Sequence, residues 1–194
     1  MKGSCLWVGF WSLSLVAYAQ PGPDYAHGYF GMRTGYIELE QVDDEGSFNV
    51  GLVGGIYLAP MLSLDASVDF QVSDFVYLYE NIELQLNSLE RKTAGLLAGL
   101  TFSPFYESTF RPFATGGVGY FYSYYTHEVL GSHTLGDGGY YAGFGADFMG
   151  QSYRNEGFSF SVEAKWLFTR EEPYLEQEIK ADGRMISVGV KYGF

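Results

Sequence analysis

Leu62-Ser63-Leu64-Asp65-Ala66-Ser67-Val68-Asp69-Phe70-Gln71 alternates without a break between apolar and polar side chains. Successive side chains of an extended strand point to opposite faces, so this stretch reads as a strand between two unlike surroundings. Leu62, Leu64, Ala66, Val68 and Phe70 share one face; Ser63, Asp65, Ser67, Asp69 and Gln71 share the other. The pattern recurs downstream, where Phe158, Phe160, Val162, Ala164, Trp166 and Phe168 oppose Ser159, Ser161, Glu163, Lys165, Leu167 and Thr169. Six further segments obey the same rule, at about 28–39, 48–58, 92–102, 111–125, 139–149 and 185–194. Each is about the ~9–11 residues that a tilted strand needs to cross a hydrocarbon layer, and beyond residue 19 no apolar run reaches the ~20 of a spanning helix.

Periodicity leaves open whether the apolar face packs an interior, as in a water-soluble lipocalin-like container, or points outward into lipid. The other face decides. A solvated exterior would be rich in Lys and Glu, whereas this face carries Gly, Ser, Thr and scattered charges, with Gly51, Gly55, Gly95, Gly99, Gly117, Gly119, Gly143, Gly145 and Gly189 among them. Small residues suit the lining of a narrow barrel filled by a few long side chains. The composition agrees: 17 tyrosines and 16 phenylalanines stand beside 26 glycines, a pairing expected of a barrel with aromatic girdles outside and a tight lumen inside. The expected fold is all-β, an eight-stranded antiparallel transmembrane β-barrel in an up-and-down meander, its last strand pairing with its first because no edge can lie open in hydrocarbon.

Residues 1–19 read as a cleavable signal peptide. Lys2 supplies the positive start, Leu6 to Val16 is apolar apart from glycine and two serines, and Ala17-Tyr18-Ala19 places small residues where signal peptidase needs them. Residues 20–194 then form one barrel domain, in which no cysteine remains because Cys5 departs with the signal. The formal charge of −12 argues against nucleic acid as a partner, since phosphate binding depends on Lys and Arg. It fits solvated loops, or surface acids bridged to lipopolysaccharide through divalent cations. The connections 59–61, 103–109 and 150–156 are short or turn-like, while 40–47, 72–91, 126–138 and 170–184 are longer and more polar. Short turns facing the periplasm and long loops facing outward would leave both termini periplasmic. Girdles are expected at Phe30, Phe102, Phe148, Phe158, Tyr192 and Phe194 on the inner side. Their counterparts on the outer side are Phe48, Phe70, Tyr120, Tyr122, Tyr140, Trp166 and Phe168.

The end of the chain, Ile186-Ser-Val-Gly-Val-Lys-Tyr-Gly-Phe194, resembles the C-terminal signal of outer-membrane barrels. The stretch Arg111-Pro-Phe-Ala-Thr-Gly-Gly-Val-Gly-Tyr120 is similar to the fifth-strand region of the OmpA/OmpX-like small barrel family. The resemblance spans residues 20–194 as pattern more than identity. It implies outer-membrane localisation and insertion by the barrel assembly machinery, with Val190, Tyr192 and Phe194 as the signal that machinery reads. The peptidoglycan-binding domain of full-length OmpA proteins has no counterpart in the sequence, so the resemblance implies no cell-wall anchor.

Candidate site residues are the lumen-facing charges Arg33, Asp65, Asp69, Asp147, Glu163, Lys165 and Lys191. An eight-stranded barrel is just wide enough for side chains, and unpaired buried charge is costly, so these are expected to form a salt-bridged plug, with a Glu163–Lys191 contact. His127, Glu128, Ser132, His133 and Asp137 contain residue types used by barrel hydrolases but show no diagnostic spacing. No catalytic residue, metal site or cofactor is therefore assigned. Beyond the membrane length, Val72, Val76 and Leu78 keep the parity of the third strand and Ile82, Leu84 and Leu86 that of the fourth, which suggests a hairpin projecting to a turn near 79–82. The expected role is structural and surface-interactive, carried by outer loops that meet lipopolysaccharide, host surfaces or another extracellular ligand, in a monomer. Porin-like passage of ions or small solutes is the alternative, and a lipid- or loop-acting barrel enzyme the third reading.

Overall fold

The computed structural model describes residues 27–39, 47–77, 86–127, 131–149, 156–169, 172–174, 177–179 and 183–194. The expected signal peptide, with Ala17 and Ala19, lies outside the described residues, as does the turn at 79–82. The strands are β1 Gly28–Leu39, β2 Ser47–Ala59, β3 Leu62–Tyr77, β4 Leu86–Phe102, β5 Phe110–His127, β6 Gly131–Met149, β7 Gly157–Thr169, β8 Glu172–Tyr174, β9 Gln177–Ile179 and β10 Gly183–Gly193. β1 to β7 pair antiparallel in succession, and β10 pairs with both β7 and β1, closing an eight-stranded barrel. β8 and β9 form a separate small ribbon in the connection between β7 and β10.

The closing seam joins the two ends of the barrel chain. β1 and β10 pair from Tyr29↔Gly193 to Leu39↔Gly183, and the backbone N–H of His27 donates to the Phe194 carbonyl at 2.7 Å while the N–H of Phe194 donates to Gly28 at 3.0 Å. Every strand of the wall thus has a partner on both sides, which hydrocarbon demands of backbone N–H and C=O groups.

The apolar face points out. Leu64, Phe160 and Val190 are 44%, 47% and 45% exposed, where a water-soluble container would bury them. Even-numbered side chains form this face: Phe30, Met32, Leu52, Ile56, Leu96, Val118, Phe144 and Ile186 are all exposed. Aromatic pairs tie neighbouring strands at both rims. Phe30–Tyr192, Phe158–Tyr192 and Phe110–Phe148 lie 5.9, 5.0 and 5.3 Å apart at the short-turn end. Tyr140–Phe168 and Phe144–Trp166 lie 5.0 and 5.4 Å apart toward the other. Such an apolar band with aromatic girdles is the surface that a lipid bilayer covers.

Strand lengths depart from expectation in one direction. β3 and β4 continue to the pair Tyr77↔Leu86, as the hairpin reading anticipates, with a register irregularity between Phe75 and Tyr77. β5 and β6 also continue, to His127↔Gly131, where the sequence suggests a polar loop over 126–138. The connection 170–184 likewise holds the β8–β9 ribbon rather than only loop.

Candidate functional site

Two features merit a functional reading: the filled lumen, and the sheet standing above it. The lumen fills because glycine lines it. At Gly51 an added Cβ would strike the Asp69 carboxylate, and at Gly145 it would lie 2.5 Å from the Phe113 ring while also meeting the Val162 backbone. Glycine at these positions cedes its volume to a long side chain from elsewhere on the wall.

Of the seven sequence-expected charges, four meet in one cluster. Arg33 on β1 reaches across the lumen, its Nε donating to Asp69 Oδ1 at 2.9 Å and its Nη2 to Asp69 Oδ2 at 2.5 Å. The same guanidinium donates from Nη1 to Glu163 at 3.0 Å and from Nη2 to Ser67 Oγ at 2.8 Å. Lys165 Nζ sits 3.0 Å from Glu163, 5.1 Å from the Tyr141 ring centre. The bidentate Arg33–Asp69 fork is the strong form of such a contact.

Lys191 and Asp147 form a second pair, at 2.9 and 3.2 Å, with the ammonium 5.3 Å from the Tyr29 ring centre and 4.9 Å from that of Phe113. This corrects the expected Glu163–Lys191 contact. On the paired strands β7 and β10, Glu163 stands opposite Ser187 and Lys191 opposite Ser159. That offset of four residues is about 13 Å along the strand, whereas Asp147 faces Ser161 on β7, only two residues from Lys191's partner. Asp65, the seventh charge, accepts a 2.6 Å hydrogen bond from the Tyr29 hydroxyl.

Sequence reasoning missed three elements of the lumen. Arg111 is buried and donates from Nε to the Ser108 carbonyl at 2.8 Å; its parity with Phe113 and Thr115 was the signal that could have found it. Tyr29 was missed as the partner of Asp65. An apolar cluster, Ile37, Leu97, Phe121, Tyr141, Leu167 and Met185, is also buried inside the barrel. Further polar side chains pair within the lumen, Gln71 donating to Ser47 at 2.8 Å and Thr93 meeting Ser123 at 2.9 Å. The cavities left include ones of about 40 Å³ and about 30 Å³, room for a few water molecules.

The second feature begins where the rim ends. β1–β2 pairing stops at Ile37↔Ser47 and β6–β7 pairing at Gly139↔Thr169. β3, β4, β5 and β6 run on, and β4 joins β5 as far as Glu90↔Thr126. The result is a four-stranded sheet projecting beyond the barrel, at the end bearing the long connections. His127 and Asp137, considered together in the hydrolase reading, lie on this sheet but apart. His127 pairs with Gly131, six residues from Asp137, about 20 Å along the strand. Glu128 lies outside the described residues.

A closed meander of eight strands, apolar outside and charge-filled inside, leaves one architecture to compare. The fold is that of the small outer-membrane barrels. The Neisserial surface protein A aligns with a TM-score of 0.62 at 10% identity, over 87% of this chain and 98% of its own. OprG, an outer-membrane protein of Pseudomonas aeruginosa, aligns with a TM-score of 0.56 at 15% identity, over 88% and 97%. Ail, the attachment invasion locus protein of Yersinia pestis, aligns with a TM-score of 0.50 at 14% identity, over 86% and 96%. No family model matches the sequence, and no curated protein matches it. Against these small outer-membrane barrels the C-terminal residues Val190, Tyr192 and Phe194 occupy the lipid-facing side of the closing strand, all exposed.

Proposed function

We propose that this protein is an integral outer-membrane barrel that works at the cell surface through its projecting sheet and outer connections, in a non-catalytic interaction role. The observation that carries this reading is the continuous pairing of β3 to β6 past the rim, to Tyr77↔Leu86 and His127↔Gly131. A hydrogen-bonded sheet beyond the lipid belt contributes nothing to spanning the bilayer, but it presents a paired surface, with Tyr122 and Tyr124 exposed on it, to a partner. In this orientation the short turns and both barrel termini face the periplasm. Val190, Tyr192 and Phe194 serve the barrel assembly machinery during insertion, and the outer connections meet lipopolysaccharide, a host surface or another extracellular ligand, with the barrel a monomer. The names of two similar barrels, a surface protein and an attachment invasion locus protein, support a surface role.

The test replaces residues 73–90 and 123–136 by short turns and scores adhesion of cells carrying the protein, with heat-modifiable gel migration as the check that the barrel has formed. Adhesion is expected to fall while migration is retained; unchanged adhesion overturns the reading. Planar-bilayer recording separates it from porin-like passage. The lumen cluster supports the expectation of no large, stable open state, and such a channel would favour transport instead.

A further inference from the structure

Independently of the surface role, we infer that an uncharged, mostly apolar layer across the outer half of the lumen is the barrier to ions. The charged cavities beneath it then form a vestibule reached only from the short-turn end. Two cavities meet there. The lower, about 40 Å³, is lined by Pro60 and Met61 of the turn between β2 and β3 and by Ser103 just after β4. The upper, about 30 Å³, reaches Arg33, Glu163 and Lys165. Tyr29, Thr101, Phe113 and Lys191 line both, so the cavities abut beside the Lys191 ammonium. Polar spaces of this size have room for water.

Outward of the charges the lumen changes character. Ile37 lies four residues beyond Arg33 on β1, and Leu167 four beyond Glu163 on β7, about 13 Å along the strand. Ile37 pairs with Met185 across the closing seam, and Leu167 pairs with Tyr141. Leu97 and Phe121 converge over Gly119, where an added Cβ would lie 2.5 Å from Leu97 Cδ2 and 3.1 Å from the Phe121 ring. These six side chains form one buried cluster. On the two remaining strands, Ser47 of β2 pairs with Ile37 and accepts a 2.8 Å hydrogen bond from Gln71 of β3. Each wall strand thus gives one buried, uncharged side chain to the layer.

Tyr141 marks the boundary. Its ring belongs to the cluster, while its hydroxyl reaches back to Gly99, where an added Cβ would strike it, and it lines the upper cavity. Beside the layer, Asn49 Oδ1 on β2 is buried and has no hydrogen-bond partner among the described residues. One water would relieve the cost of that orphan acceptor, so the packing around it leaves no water-sized gap. An apolar constriction stops ions by dewetting, because an ion that sheds its water there finds no ligand. The ion pairs below border on space for water and do not by themselves interrupt a path.

Beyond residue 19 the sequence has no cysteine, so single thiols can be placed in the full barrel and probed in vesicles with Ag⁺, a thiol-binding ion. Glu107→Cys, exposed in the turn before β5, and Thr126→Cys, exposed above the rim, report which end meets the added ion. Thr115→Cys lines the upper cavity. It is expected to react at least tenfold faster from the end that exposes residue 107 than from the end that exposes residue 126. Leu97→Ala and Phe121→Ala together are expected to abolish that difference and to raise ion conductance in planar bilayers at least tenfold, with heat-modifiable migration retained. Glu163→Gln, which weakens the ion-pair cluster, is expected to do neither. Equal access to Thr115→Cys from both ends of the native barrel, whether fast or absent, overturns the inference, as does faster access from the outer end. A folded double variant that stays closed, or conductance that rises in Glu163→Gln alone, also overturns it. Where the double variant fails to fold, the asymmetry at Thr115→Cys decides. None of these outcomes bears on adhesion, so the surface reading stands or falls separately.

Discussion

β3 to β6 pass through two environments, and the contrast between their two halves explains most of this molecule. Within the belt one face meets lipid, the other a packed lumen, and both edges are paired. Beyond the rim the same strands keep their hydrogen bonds, but on β6 apolar alternation lapses, as Gly138, Thr134 and Ser132 show. Alternation thus reports what lies on either side of a strand, not whether the strand exists. Pairing in the belt is obligatory because hydrocarbon offers no substitute partner; above the rim water supplies one.

The contrast can be broken by substitution, and the largest effect is expected in the lumen. Arg33→Ala leaves Asp69 and Glu163 without their shared cation and should cost about 3–5 kcal/mol of unfolding free energy, the range for breaking a buried ion pair. Urea unfolding in lipid vesicles would measure it, and a loss under about 1 kcal/mol would show that water replaces the guanidinium freely. On the lipid face Leu52, 59% exposed at mid-belt, is expected to lose about 2–4 kcal/mol on replacement by Arg. The matched change Thr126→Arg, on the same face but above the rim, should fall within about 0.5 kcal/mol. Equal costs at 52 and 126 would place the projecting sheet inside the membrane and end the comparison. Amide exchange sharpens it further: the β1–β10 seam should exchange far more slowly than residues 131–138, although both are strand.

How far each region was legible follows from the same physics. β1, β2 and β7 match their sequence-based bounds within a residue or so because lipid and lumen impose unlike chemistry on their two faces. The extension of β6 over 131–138 was invisible, since water on both sides selects no pattern. The hairpin of β3 and β4 was legible only because Val72, Val76, Leu84 and Leu86 happen to keep parity. Among the lumen charges, parity identified all seven residues, and Arg111 was open to the same reasoning. It could not pair them, which is why Glu163 was matched with Lys191.

The chain by itself determined the eight strands of the barrel wall, the outward apolar face and the inward charges, because side-chain direction alternates locally and needs no knowledge of neighbours. Register, and with it the choice of Asp69 and Glu163 for Arg33 and of Asp147 for Lys191, was decided only by the closed sheet. Those contacts join residues 36, 130 and 44 positions apart, and a shift of two residues between strands would keep every side chain on its face while changing every partner it meets.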